Sequence, residues 1–216
     1  MCLEFFLQWS KTVIVLDRQM AEQAEKAGAA PEKICIIPNG VSDPIKRGVP
    51  PGFAQGRSIQ SPIQLLFLSN LMTSKGVIDI LEACRILKKW KIRFHLHLCG
   101  SPVGTLHNNG CVSLGGWKRR VVEAGISDEV SFHGTVSGGA KDRLLLESDL
   151  MLLPTYYEWE AQPLCLIEAL SFAMPCIATR HAGIPEILGD EKAGRFIPPL
   201  DPTALAKTIQ ELFEAP

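Results

Sequence analysis

The sequence lacks the features that define several common functional classes. Its 22 Lys and Arg residues nearly balance 23 Asp and Glu residues, so no global field favours nucleic acid or an anionic membrane. No apolar run approaches the roughly 20 residues that span a bilayer. The opening stretch MCLEFFLQWSKTVIVLDR has an early Glu4 and neither the basic leader nor the cleavage site of a signal peptide. We therefore expect a cytoplasmic protein without a transmembrane segment.

Patterns for metal ligation and disulfide bonding are also missing. The seven cysteines are odd in number and none forms a CxxC pair, which argues against a zinc site and a disulfide framework. The five histidines show no ligand spacing, and His95 and His97 are expected to be packed or solvated. Five cysteines in apolar contexts are predicted to be small core residues in a reducing compartment: Cys35, Cys84, Cys99, Cys165 and Cys176.

The common glycine-rich nucleotide motifs are absent as well. No GxGxxG follows a predicted strand and no GxxxxGK[ST] occurs, which argues against a dehydrogenase-type dinucleotide site and a P-loop. Short apolar runs nevertheless alternate with helix-period segments along the chain. This alternation predicts an α/β fold with a doubly wound, Rossmann-like parallel sheet and helices on both faces. Ligands of such folds bind outside the carboxyl ends of the strands.

The apolar periods assign the individual elements. Strands are predicted at 11–17, 33–41, 63–71, 92–100, 129–136, 149–155, 175–179 and 193–199. Helices are predicted at 18–28, 75–90, 117–125, 141–148, from about 163, at 185–190 and at 201–215, the last capped by Asp201. Residues 42–62 are rich in Pro, Gly and Ser and are predicted to be a loop, whereas residues 101–116 give no assignable pattern.

Two glutamates stand out in EWEAQPLCLIEALSFAMPCIAT, residues 158–179. Glu160 lies in the loop after predicted strand 149–155, and Glu168 interrupts an otherwise apolar helix. The helix start between them offers backbone N–H groups and a positive dipole end, which suit a phosphate. Two carboxylates around such a helix start indicate a sugar nucleotide. The alternative is structural: a capping glutamate and a buried glutamate that is satisfied by protein groups.

A lysine and two glycines lie at the same predicted edge. In SNLMTSKG, residues 69–76, Lys75 stands where strand gives way to helix, so it is placed to neutralise a diphosphate. Gly76 lets the backbone approach closely. The alternative is a solvated lysine in a turn. In HAGIPEI, residues 181–187, Gly183 suits a tight turn at the same edge. The alternative is that the turn is its only role.

These segments together resemble a known family. The resemblance is to the C-terminal half of retaining glycosyltransferases of the GT-B fold, family 4, and it covers nearly the whole chain in the family's order and spacing. The Glu-x7-Glu element, EAQPLCLIE, is its most specific part. The other matching segments are IIPNGV (36–41), FLSNLMTSKGVIDILEA (67–83), VSFHGTV (130–136), PCIATRHAGIPEIL (175–188) and AGRFIPPLDPTALAKTI (193–209).

The resemblance implies a donor-binding half for a nucleotide-diphosphate sugar. Glu168 would accept hydrogen bonds from the ribose hydroxyls, and Glu160 would orient the donor sugar together with backbone amides. Lys75 would bind the diphosphate and stabilise charge on the leaving group. No metal or other cofactor is implied. The remaining substrate-binding positions implied by the family are Asn70, Gly76, Ala161, Gln162 and Leu164, with Gly134 and Val136 near the base.

The chain also departs from that family. Asn70 stands where the family usually has an arginine, a second cation for the diphosphate. Residues 1–30 match the end of the N-terminal domain and a linker, and residues 31–216 the donor domain without its last helices. Most of the acceptor half is not represented, so we expect this chain alone to be inactive. We also expect self-association, or a missing N-terminal half, to cover exposed apolar surface on residues 11–28.

Several readings of function remain open at this stage. The first is a retaining hexosyltransferase that acts on a glycan or lipid-linked acceptor in polysaccharide synthesis, cytoplasmic or peripheral at the inner membrane face. The second is a non-catalytic module that binds a nucleotide sugar or a partner. A third is a sugar-nucleotide epimerase of the same fold. The Glu160-x7-Glu168 element, together with KG (75–76) and LEA (81–83), fits the transferases better.

Overall fold

A computed structural model describes residues 6–7, 9–44, 46, 48, 61–103, 113–189 and 191–214. The strands are β1 (Val13–Val15), β2 (Ile34–Ile36), β3 (Ile63–Leu68), β4 (Phe94–Cys99), β5 (Val130–Gly134), β6 (Leu150–Leu153), β7 (Cys176–Thr179) and β8 (Gly194–Ile197). The helices are α1 (Arg18–Lys26), α2 (Val77–Lys89), α3 (Leu114–Glu123), α4 (Gly138–Glu147), α5 (Leu164–Ser171), α6 (Ile184–Leu188) and α7 (Pro202–Glu214).

Six parallel strands form the main sheet in the order β5-β4-β3-β6-β7-β8. Strand order runs outward from β3 in one direction and then reverses from β6 in the other, so a topological switch point lies between β3 and β6. Right-handed crossovers place α2 and α3 on one face and α4, α5 and α6 on the other. The predicted doubly wound sheet with helices on both faces is confirmed.

Buried apolar side chains on both faces explain why the central strands read as continuous apolar runs. Leu65, Leu66 and Phe67 of β3 are fully buried, as are all four residues of β6. Helix α2 packs against α7. Its buried apolar side chains include Val77, Ile80, Leu81, Cys84 and Leu87.

Local signals set several helix ends. Asp17 caps α1, since its Oδ1 accepts a hydrogen bond from Met20 N at 2.7 Å, and Gly28 follows that helix with φ +98°. Asp201 caps α7 through Ala204 N at 2.8 Å, as predicted. Ser113 caps α3, which therefore begins at Leu114 rather than at residue 117.

The first two strands form a separate parallel pair, in which Val13 lies opposite Ile34. Together with α1 they make a β1–α1–β2 unit that crosses the boundary predicted at residue 30. Two hydrogen bonds join this part of the chain to the segments that follow β6 and β7: Asn39 N donates to Gln162 Oε1 at 2.9 Å, and Arg18 N donates to Glu186 Oε1 at 3.2 Å. Helix α1 has no buried residue.

Apolar exposure on this N-terminal unit matches the expectation. Ile14 of β1 is 63% exposed and Ile36 of β2 is 44% exposed, because no second layer of described residues covers β1 and β2. For the same reason the prediction that Cys35 is a core residue is wrong: Cys35 is exposed, whereas Cys84, Cys99 and Cys176 are buried. Self-association, or a partner chain on this surface, stays a prediction.

Two predicted segments fall largely outside the description. Most of the predicted loop 42–62 and residues 104–112 of the unassigned stretch lie outside the described residues. Within the described part of the chain, no helix combines the length and the apolar character that a membrane crossing needs.

Candidate functional site

The predicted site residues meet at the carboxyl edge of the sheet, on both sides of its switch point. Strand β3 ends at Leu68 and leads to a 3-10 turn, Thr73–Lys75, and then to α2. Strand β6 ends at Leu153 and leads through residues 154–163 to α5. Because β3 and β6 are neighbours in the sheet, the two segments that follow them lie side by side. Doubly wound sheets bind their ligands in this crevice.

Lys75 and Glu160 form an ion pair across the crevice. Lys75 Nζ lies 2.7 Å from Glu160 Oε2, and the two side chains are only 12% and 7% exposed. The ammonium also lies 4.6 Å from the centroid of the Tyr157 ring. The alternative of a solvated lysine in a turn is therefore wrong. The two residues to which the resemblance assigned separate roles share one hydrogen bond in this structure.

Backbone and hydroxyl contacts hold Glu160 in place. Thr155 Oγ1 lies 3.1 Å from Glu160 Oε2 and 3.2 Å from the carbonyl oxygen of Ser74. Tyr156 N donates to the same Ser74 oxygen at 2.8 Å. The segment after β6 is thus fastened to the turn that carries Lys75, which fixes the geometry of the ion pair.

Glu168 also has a protein partner. Its Oε1 lies 2.5 Å from Lys141 Nζ, and the two side chains are 22% and 24% exposed. Lys141 lies in the first turn of α4, the helix that follows β5. The odd glutamate of the apolar run is therefore both satisfied by a cation and open to solvent, so it remains available to ligand hydroxyls.

The Cys165 thiol lies within the electric field of both ion pairs. Burial raises its pKa to about 12; Glu160 and Glu168 add to that increase, and Lys75 opposes it. A thiol with such a pKa stays protonated at neutral pH, so Cys165 does not act as a nucleophile. All three charged groups therefore lie near the Cys165 thiol.

Gly76 and Asn70 occupy different environments near Lys75. Gly76 has φ +80° and is buried, and a Cβ on it would lie 2.4 Å from the carbonyl oxygen of Pro154. The close backbone approach predicted at Gly76 is therefore made with Pro154, the residue directly after β6. Asn70, at the position of the family's arginine, is exposed after β3.

The start of α5 presents its backbone to the crevice. Its N-cap is Pro163, which has no N–H to give, and no side chain caps the helix. Leu164 is 48% exposed, Ala161 is half-buried and Gln162 is buried with its side chain bound to Asn39. The carbonyl oxygens of Ala161 and Gln162 accept hydrogen bonds from Gly183 N and from the Asn39 side chain, each at 3.0 Å, so a ligand here would meet backbone N–H groups.

The positions expected near the base lie at the end of β5. Gly134 is exposed with φ +65°, and its carbonyl oxygen accepts a hydrogen bond from Gly100 N at 2.7 Å. Val136 is half-buried against the core. Residues 134–136 lead directly into α4, and Lys141 of α4 reaches Glu168. Residues 134–136 are therefore linked to Glu168 through α4.

Comparisons with known proteins show the family of this chain. The sequence pattern of one family, described as glycosyl transferases group 1, matches residues 53–216. The chain belongs to the glycosyl transferases group 1 family. The GT-B resemblance noted from the sequence is thereby confirmed.

Two relatives from this family and one solved structure illustrate the match. WcaL of Escherichia coli K12, named for colanic acid biosynthesis, is 27% identical over 197 residues, 88% of this chain and 44% of WcaL. The amylovoran biosynthesis glycosyltransferase AmsK of Erwinia amylovora is 28% identical over 159 residues, 72% of this chain and 37% of AmsK. Anabaena HepE, solved in complex with UDP-glucose, superposes with a TM-score of 0.76 at 16% identity, over 98% of this chain and 56% of HepE. The chain spans about half the length of the curated relatives it matches.

Sequence reasoning missed some residues of this candidate site in the group 1 family member. Lys141 gave no signal, because it lies 27 residues before its partner Glu168. Thr155 was assigned to a strand, and for Tyr157 the sequence suggested either stacking on a ring or ordinary packing. A hydroxyl residue at the carboxyl end of a buried strand is a signal that would have found Thr155.

Proposed function

We propose that the chain is the donor-binding portion of a retaining glycosyltransferase. It would transfer a hexosyl unit from a nucleotide-diphosphate sugar to a glycan or lipid-linked acceptor in polysaccharide synthesis. The observation that carries the proposal is the Lys75–Glu160 pair at the switch point, with Glu168 on the adjacent helix. Membership of the glycosyl transferases group 1 family supports it, as do the polysaccharide roles for which WcaL and AmsK are named.

Each charged group has a role that follows from its place. Glu168, half-buried and held by Lys141, would accept hydrogen bonds from the two ribose hydroxyls. The start of α5 would face the diphosphate with its N–H groups and dipole. The HepE complex with UDP-glucose supports this class of donor.

Lys75 would supply the positive charge during transfer. The bond from the anomeric carbon to the diphosphate oxygen breaks, and its electron pair leaves with the nucleoside diphosphate. The acceptor oxygen forms the new bond to that carbon, and its proton passes to the departing diphosphate or to solvent. Lys75, already oriented by Glu160, stabilises the charge that develops on the leaving oxygen. The proposal assigns this role to Lys75 without a resident metal or other cofactor.

Calorimetric titration with UDP, GDP and ADP, and then with their hexose conjugates, tests the proposal. We expect one nucleotide to bind and its hexose conjugate to bind at least as tightly. Absence of heat with all three nucleotides at about 1 mM, a concentration at which weak sites are occupied, would contradict the proposal.

A second candidate is a non-catalytic module that binds a nucleotide sugar. The observation that favours it is the exposed Asn70 in place of a second cation, which weakens stabilisation of the leaving group. Chromatography of the reaction mixture measures transfer and donor hydrolysis. Donor binding without either reaction would support this candidate over the transferase.

A further inference from the structure

A second concave site lies beside the Lys75–Glu160 pair, on the side of the N-terminal unit. It is a pocket of about 470 Å³, within the size range of small-molecule sites. One wall is the start of α1, and the other consists of the loop 158–161 and residues 181–182. The side chains that matter to its chemistry are those of Asp17, Gln19, Gln23, Trp159, Glu160 and His181.

The lining combines an exposed aromatic ring with hydrogen-bonding groups. Trp159 is 76% exposed, although a tryptophan offers a large apolar face that proteins normally cover. Gln19 and Gln23 are exposed on α1, one turn apart, and each offers both a donor and an acceptor. Such a lining suits a ligand with an apolar face and a rim of hydroxyl groups.

His181 has a defined role in this wall. Its Nε2 lies 2.7 Å from the carbonyl oxygen of Tyr157. A carbonyl only accepts, so Nε2 carries the proton, and in the neutral ring Nδ1 is left as an acceptor. The imidazole is half-buried and therefore held in orientation.

Asp17 gives a second, independent sign of a polar ligand. Its side chain is almost fully buried; Oδ1 caps α1, but Oδ2 has no hydrogen-bond partner among the described residues. A buried carboxylate oxygen without a donor is costly. Oδ2 lies against Gly183, where a Cβ would come within 2.5 Å, so the glycine permits this approach. Asp17 lines the pocket, so a hydroxyl donor bound there is the partner that we expect for this carboxylate.

We propose that this pocket binds a pyranose ring of the acceptor. Trp159 would lie against the ring face, and Gln19, Gln23 and the His181 Nδ1 would bind its hydroxyls. The pocket also touches Glu160, so a hydroxyl of the bound ring is directed toward the donor sugar. This inference rests on the proposed function, and it extends that function by assigning part of acceptor recognition to residues of this chain.

Titration with simple pyranosides tests the pocket directly. The probes are the methyl α- and β-D-pyranosides of glucose, galactose and mannose, added up to about 20 mM, far above the ~1 mM of a weak site. Saturation-transfer NMR reports binding, once with UDP present and once without it. We expect at least one pyranoside to bind, with contacts at its ring protons.

Two matched pairs of variants locate that binding. Trp159→Ala should weaken it at least tenfold, whereas Trp9→Ala, which removes an equally exposed tryptophan outside the pocket lining, should leave it unchanged. Gln23→Trp should fill the pocket and abolish binding, whereas Glu22→Trp, at the adjacent exposed position of α1, should not. None of the four changes should alter UDP affinity.

The outcomes separate this inference from the proposed function. If UDP binds and no pyranoside does, or if pyranoside binding survives both pocket variants, the inference is overturned while the donor site stands. If UDP fails to bind, the titration without UDP still decides, because binding that is lost in Gln23→Trp would support a pyranose site by itself.

Discussion

Lys75 Nζ and Glu160 Oε2 lie 2.7 Å apart although the residues are separated by 85 positions in the sequence. Both side chains are nearly buried, so each charge depends on the other for compensation. The cation proposed for the diphosphate and the carboxylate proposed for the donor sugar are therefore one electrostatic unit. A change to either residue should therefore affect stability as well as the proposed donor binding.

Removing one member of this pair should destabilise the protein. Lys75→Met leaves the Glu160 carboxylate nearly buried without its cation, and breaking a buried pair in this way costs roughly 3–5 kcal/mol. Urea unfolding followed by circular dichroism measures the loss.

The double variant Lys75→Met/Glu160→Gln separates stability from function. It removes both charges, so it should recover most of the free energy of unfolding that the single change lost. Donor binding should remain lost. Recovery of donor binding together with stability would show that the pair has only a structural role.

Glu168→Gln should weaken nucleotide binding with little effect on the fold, because both Glu168 and Lys141 are partly exposed. Hydrogen bonds to a charged acceptor contribute about 1.5–3 kcal/mol, so we expect a roughly 10- to 100-fold higher dissociation constant for UDP by calorimetry. The exposed Glu211→Gln on α7 serves as a control. The variant should have the same affinity for 2′,3′-dideoxy-UDP as for UDP. If the substitution lowered the affinity for both ligands by the same factor, Glu168 would not act on the ribose hydroxyls.

Gly76→Ala should be strongly destabilising. The left-handed backbone at φ +80° costs a side chain about 1–2 kcal/mol, and the new Cβ would collide with Pro154 O at 2.4 Å. Gly125→Ala is the matched control, since Gly125 has φ +68° with open space around its Cβ position. Thermal unfolding should show a clearly larger drop for Gly76→Ala; equal drops would mean that the crowding at Pro154 is relieved at no cost.

Asp79 should make stability depend on pH. Burial, and then the charge of Asp201, raise the pKa of Asp79 from 3.8 to about 6, and its Oδ2 is buried without a partner among the described residues. The folded state holds this proton more tightly than the unfolded chain. Its contribution to the free energy of unfolding is therefore present below about pH 4 and is lost as the pH rises to about 6.

Asp79→Asn should thus be more stable than the wild type at pH 7, by up to about 3 kcal/mol, and the difference should shrink toward pH 4. Burial, His95 and His133 lower the pKa of His97 to about 4, which acts in the opposite direction, so the comparison is between variant and wild type at each pH. Urea unfolding at pH 7 and pH 5 gives the measurement, with the exposed Asp128→Asn as control. A constant difference across this range would contradict the assignment to Asp79.

Asn70→Arg should tighten donor binding. Asn70 is exposed at the end of β3, five residues before Lys75, so an arginine there adds a second cation near the proposed diphosphate. We expect roughly a tenfold gain in affinity for UDP, the effect of about 1.4 kcal/mol, and no gain for uridine. A similar gain for both ligands would indicate an effect unrelated to the diphosphate.

The sequence by itself determined the elements and the edge at which the site lies. Short apolar runs located the strands and a period of 3.6 residues located the helices, since both are local properties of the sequence. The Asp201 cap and the glycine after α1 followed from signals within one turn of the helix. Lys75 and Glu160 were placed at the carboxyl edge because each lies a few residues after the end of a predicted strand, and Glu168 because it lies early in the helix that follows.

Only the tertiary structure decided which groups are partners. The pairs Lys75–Glu160 and Lys141–Glu168 join positions 85 and 27 residues apart, through a strand order that no local period encodes. Cys35 was misassigned for the same reason, because an apolar strand is buried only if another layer covers it. Local patterns fix what each segment becomes, whereas the packing of distant segments fixes which charges are neutralised, which faces stay exposed and where a ligand fits.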